Sequence, residues 1–204
     1  MTSDRERWNE KYRDDDEFDL PDDPMPELAR RVETLPGGRA LDLATGTGRN
    51  ARFLAAYGYD VDAVDVSDEA LARAERRADA SGLEVNWIRS DVADFDFEPG
   101  AYDVITVNFF AALDVLPDIK ESLAPGGVLL YEHHLRSSDA VDVGPSSDRY
   151  RYRSNDLLRA CLDLTVLGYR EETRQYDETD GTLAVATLVA RNSTGGRQSY
   201  PRLS

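Results

Sequence analysis

The stretch ALDLATGTGRNARFLA, Ala40–Ala55, decides the fold. It opens as an apolar run ending in an acid, Asp42, passes through a small-residue loop, and finishes with helical spacing of apolar residues. Two glycines one residue apart, Gly46 and Gly48, let backbone amides approach a ligand where a strand hands over to a helix. A strand–loop–helix unit of this kind belongs to a sheet whose crossovers are helical.

The rest of the chain repeats that unit. Strands are expected at Arg39–Leu43, Asp60–Asp65, Glu84–Arg89, Tyr102–Val107 and Gly127–Glu132, each short and apolar on both faces. Helices are expected between them. Ser67 should cap the helix DEALARAERRADAS, with Gly82 just past its end, and ALDVLPDIKESL should form another that stops at APGG. After a polar insertion, RSSDAVDVGPSSDRYRYR, a Ser154-capped helix NDLLRACLDL precedes the runs TVLGYREE and TLAVATLVA. Those two runs lie too close together to enclose a crossover helix, so they should pair antiparallel. The expected fold is α/β, a doubly wound, mostly parallel, Rossmann-like sheet of seven strands with an antiparallel C-terminal pair. Residues 1–36 read as an N-terminal helical cap, 37–191 as the domain, and 192–204 as a flexible tail.

Composition narrows the function. The 204 residues hold 40 Asp+Glu against 24 Lys+Arg, a formal net charge of -16. At molar salt the Debye length falls to ~3 Å and such self-repulsion is screened, so the surface reads as that of a salt-loving cell. The same charge opposes phosphate backbones, which argues against nucleic-acid partners. The single cysteine, Cys161, sits in an apolar helical stretch and reads as packing. With one Cys and the adjacent His133 and His134, neither a disulfide framework nor a metal site is expected. The charged N-terminus has no secretory core and no window suits a membrane span, so a cytoplasmic protein acting on a small-molecule substrate is expected.

Ligands of doubly wound sheets bind beyond the carboxyl ends of the strands, where strand order reverses. Those ends carry Asp42, Asp65, Asp91 and Asn108. GTGRNA also satisfies the dinucleotide pattern G-x-G-x-x-A, with Asp65 placed to hold a ribose hydroxyl, so an NAD-dependent oxidoreductase is one reading. Asp42 points elsewhere, because a carboxylate beside the loop suits a cation better than a pyrophosphate.

From Arg39 to Ala190 the chain resembles the class I S-adenosylmethionine (SAM) dependent methyltransferases. The resemblance rests on DLATGTG after the first strand, Asp65 ending the second, SDV after the third, YDVITVNF as the fourth and LAPGGVLLYE entering the fifth. GRNARFLAAYGYDVDAVDVS looks most like the tellurite-resistance and thiopurine type. Ala44 stands where the family's first glycine is usual, and an alanine expects a backbone without positive φ there. The resemblance implies SAM as cofactor. Gly46, Gly48 and Ala44 would line the methionine moiety and Asp42 would help hold its ammonium. Asp65, followed by Val66, would accept the ribose hydroxyls, while Asp91 and the Val92 amide would take the adenine. Asn108 would meet donor and acceptor, and Trp8 and Tyr12, four apart on one helical face, would form an aromatic lid. The implied reaction is in-line methyl transfer to a small molecule such as a thiol or metalloid oxyanion, helped chiefly by alignment. His133, His134 and Asn108 are the catalytic candidates, the histidines as general base if one is needed. A SAM-binding protein without catalysis is a further alternative. DRYRYRS interleaves Arg149, Arg151 and Arg153 with tyrosines, a basic island that pairs with surface acids or binds an anionic acceptor.

If the acidic surface is an adaptation to salt, thermal melts in low and molar KCl should show the midpoint rising with salt; a flat or falling midpoint would contradict it.

Overall fold

The computed structural model describes residues 4–14, 22–176 and 181–193. Seven strands form one sheet: β1 (Arg39–Leu43), β2 (Asp60–Asp65), β3 (Asn86–Arg89), β4 (Tyr102–Asn108), β5 (Leu123–His134), β6 (Thr165–Tyr176) and β7 (Gly181–Arg191). Their order is β3-β2-β1-β4-β5-β7-β6, parallel through β5, with β7 antiparallel to both β5 and β6. This is the expected seven-strand architecture. Strand order reverses between β1 and β4, which opens the crevice directly above the Ala44–Gly48 loop.

Helices cover both faces. α2 (Pro26–Arg31) and α3 (Arg49–Ala56) supply Leu28, Ala51 and Leu54 to a core that includes Ala40, Val104 and Leu130. α5 (Leu116–Glu121) and α6 (Asp156–Ala160) supply Leu116, Ile119 and Leu157 to the opposite core, with Leu41, Ile105 and Leu129. Alternate residues of the central strands thus point into different cores, which is why these strands read as apolar throughout. α4 (Asp68–Ala80) begins as expected, with the Ser67 side chain accepting from the Ala70 amide. α1 (Asp4–Asp14) lies against α4.

Several local expectations are corrected. The residues APGG do not stop a helix; they lie inside β5, where the ladder slips between Tyr102 and Val104, and α5 is confined to Leu116–Glu121. Ser154 does not cap α6. Asn155, in the left-handed conformation, takes that position, and Ser154 Oγ donates to Glu171 on β6 instead. β3 starts at Asn86 rather than Glu84. Cys161 is buried as packing, and burial pushes its thiol up to about 11. Residues 194–204 of the expected tail and 15–21 of the acidic N-terminal loop lie outside the described residues.

Ala44 departs from expectation most instructively. Its φ is 52°, the left-handed region that an L-residue enters at a cost of roughly 1–2 kcal/mol. Ala44→Gly should therefore stabilise the fold by about 0.5–1 kcal/mol after the flexibility glycine adds to the unfolded chain. A denaturant titration measures this, and an unchanged or lowered midpoint would show that Ala44 carries no strain.

Candidate active site

The site is built from two buried carboxylates on adjacent strands and the loop between them. Asp42, only 1% exposed at the end of β1, accepts hydrogen bonds from Thr45 Oγ1 at 2.5 Å and Thr106 Oγ1 at 2.7 Å. Asn50 at the start of α3 also bonds it, while its Oδ1 accepts from the Met25 amide. Burial pushes the Asp42 carboxyl above the usual carboxylate range, and these donors pull it back down. One acid thereby ties β1, β4, the loop and the chain before α2 together.

Asp65, at the end of β2, accepts from the backbone amides of Gly46 at 2.8 Å and Ser67 at 2.9 Å. Burial raises its pKa, and the two amides oppose that rise. The loop reaches Asp65 because Ala44, Gly46 and Gly48 all adopt positive φ. A Cβ at Gly48 would come within 3 Å of Trp87 and Ala74, so that position has no room for a side chain. Thr47, wholly buried in the same loop, leaves its hydroxyl without a partner. A loop of small residues held between two buried carboxylates fits a small polar, cationic ligand.

The other expected residues lie just after β2, in the turn after β3, on α1 and at the end of β4. Asp91 is exposed after β3 and accepts from the Ala93 amide, capping the short turn Val92–Asp94 in which Val92 is buried. Val66 is half-buried beside Asp65. Tyr12 of α1 is buried, and that burial, followed by the charge of Asp65, raises the tyrosine pKa. α1 is held over the first turn of α4 by Ser67 Oγ donating to Asn9 Oδ1 at 2.7 Å, and by the pairs Arg5–Asp68 and Arg13–Glu69. Trp8 lies 6.2 Å from Tyr12 by ring centroids, with the Lys11 ammonium 5.0 Å from its own. Asn108 ends β4 with its Oδ1 buried and unpartnered.

His133 and His134, ending β5, are both buried. His133 Nε2 meets the Tyr150 carbonyl at 2.9 Å, and the Nδ1 atom of each ring is buried without a partner. Burial lowers the pKa to about 4 for His133 and about 3 for His134, so both imidazoles are neutral at pH 7. The basic island does not act as one patch. Arg151 Nε donates to the Pro145 carbonyl, and Tyr152 turns inward with its hydroxyl 2.6 Å from that of Tyr131. Both tyrosine hydroxyls accept from the Ala112 amide, at 2.8 and 2.9 Å.

Sequence reasoning missed Thr45, Thr106 and Asn50. Thr106 left a signal, a hydroxyl at a core-facing position of an apolar strand, where a buried donor needs a buried acceptor.

Comparison with known proteins shows the family. Residues 40–127 match the family model described as a methyltransferase domain. A demethylmenaquinone methyltransferase of Clavibacter sepedonicus is 35% identical, the alignment covering 85% of this chain and 80% of that protein. One from Thermus thermophilus is 41% identical over 99 residues, 45% of each chain. The solved structure of TehB from Haemophilus influenzae superposes with a TM-score of 0.68 at 22% identity, covering 81% of this chain and 61% of that one. The chain belongs to the class I SAM-dependent methyltransferases.

The neutral histidines give a pH dependence with a definite sign. Their folded pKa values lie below the unfolded value near 6.5, so they contribute stability above that pH which is lost as pH falls through 6.5 toward 4. Asp42 and Asp65, with raised values, act in the opposite sense. The check is therefore a difference: His133→Asn should lose stability less steeply than wild type between pH 6.5 and 4. Parallel curves would mean that His133 is not held neutral.

Proposed function

We propose that the protein transfers a methyl group from SAM to a small-molecule acceptor. The observation that carries this reading is the Ala44–Gly48 loop, turned by three left-handed residues and strung between the buried carboxylates of Asp42 and Asp65. SAM, when bound, supplies a methyl already activated on a sulfonium, and its cationic groups suit a crevice flanked by acids. Gly46, Thr47 and Gly48 would face its methionine part, Asp65 its ribose, and Asp91 with Val92 its adenine. Tyr12 closes the site from α1, and Asn108 stands toward the acceptor.

The residues contribute mainly alignment and exclusion of water. His133 and His134 are poor proton acceptors at neutral pH, so we assign them a positioning role in this reading. An acceptor that must lose a proton would release it to solvent. The NAD reading is disfavoured by Asp42, buried against the loop where a pyrophosphate would need positive neighbours. The acidic surface supports a salt-rich cell interior as the setting. Among the described residues no helix is long and apolar enough to cross a membrane.

Calorimetric titration in molar KCl, with SAM, its demethylated product S-adenosylhomocysteine (SAH), and NAD, tests the reading. SAM and SAH should bind and NAD should not; NAD binding alone would restore the oxidoreductase reading. SAM binding without turnover across thiols, tellurite, selenite and phenols would favour a non-catalytic binder. Asp65→Asn should weaken SAM binding about tenfold or more, because an amide turns an N–H toward one of two backbone N–H donors and loses a charged hydrogen bond worth ~1.5–3 kcal/mol. Unchanged affinity with an unchanged melting midpoint would remove Asp65 from the site.

A further inference from the structure

Phe109, immediately after β4, is a half-buried aromatic residue at φ 57°, where a bulky side chain is rarely found. Had the strand continued, alternation would place its ring on the face opposite Asn108. The left-handed backbone turns it over instead, and the ring stacks on His134 at 4.4 Å between centroids and 14° between planes. His134 belongs to the Asn108 face: it lies two residues beyond Glu132, which is the register partner of Asn108.

Both ends of this turn are fixed. The Phe109 amide donates to the Glu132 carbonyl at 2.9 Å. Farther on, Tyr131 donates to the Phe110 carbonyl at 2.7 Å, and Tyr131 and Tyr152 together receive the Ala112 amide. Strain of this kind persists only where surroundings over-determine it, and it gathers at functional sites. Here it serves to lay one aromatic face against an imidazole and leave the ring half-exposed. His134 itself is 6% exposed, with Gly144 packed against its Nδ1 edge, so it backs Phe109 rather than meeting a ligand.

The residue before it, Asn108, which ends β4, keeps its Oδ1 buried and unpartnered, an acceptor with no donor. A carbonyl oxygen in such a place attracts an O–H or N–H and repels an oxyanion. The geometry points to a planar acceptor, a ring bearing a hydroxyl or N–H, that lies on Phe109 and donates a hydrogen bond to Asn108. This deepens the methyl-transfer reading and rests on it for the place of the donor. It selects neutral aromatic acceptors over tellurite-like oxyanions.

Catechol is the probe, titrated into the protein with and without SAH and followed by calorimetry and proton NMR. Catechol should bind the SAH complex at about millimolar affinity or tighter, with its ring protons shifted upfield and close to Phe109. Phe109→Gly removes the ring while relieving the backbone, and should weaken catechol at least about fivefold with SAH affinity unchanged. Asn108→Leu should weaken it comparably, and tellurite should show no Phe109-dependent binding. Failure of catechol to bind, or equal binding to wild type and Phe109→Gly, overturns this inference. Failure of SAH to bind overturns the methyl-transfer reading instead, and the two results are separable in one titration series.

Discussion

A buried carboxylate must find donors, and Asp42 finds them in three different parts of the chain. Its partners Thr45, Thr106 and Asn50 come from the loop, the neighbouring strand and the following helix. Removing such a group from water without them would cost several kcal/mol. The requirement therefore fixes β1 against β4 at the point where strand order reverses, and sets the path of the loop that leaves β1. Asp65 repeats the principle one strand away, holding the far side of the same loop by backbone amides. The crevice exists in its final shape because two charges need satisfying there.

That arrangement bears on binding cost. The loop between the carboxylates is already bonded to both, so a ligand entering the crevice meets amides and hydroxyls in place rather than a chain that must first order. Helix α1 is held by the same neighbourhood, since it bonds to Ser67, Asp68 and Glu69, the residues that directly follow the Asp65 turn. The Asp65 side of the crevice and α1 thus share one short segment, and a disturbance at Ser67 would reach both.

The architecture was legible in the sequence because strands buried on both faces and helices with caps leave strong local signals. Ser67 and the antiparallel final strands needed no tertiary information. The failures came where tertiary bonding overrode local preference. APGG carries the residues of a helix stop, yet the sheet extends through it by pairing Leu123 with Tyr102. Ser154 is a good cap, but the Glu171 carboxylate on β6 competes for its hydroxyl. Of the site, the acids were readable from strand ends. Their threonine partners were not, because a hydroxyl among apolar residues names no partner, and the turned ring of Phe109 depends on a φ that no residue type announces.

One glycine carries a different kind of message. At Gly144 φ is 116°, and a Cβ would stand 2.8 Å from the His134 ring. Most of Ser137–Ser147 is exposed, so its composition is open to drift across lineages. Gly144 is exposed too, yet its inner side faces the His134 ring, so a side chain there would have to displace the imidazole and with it the surface on which Phe109 is stacked.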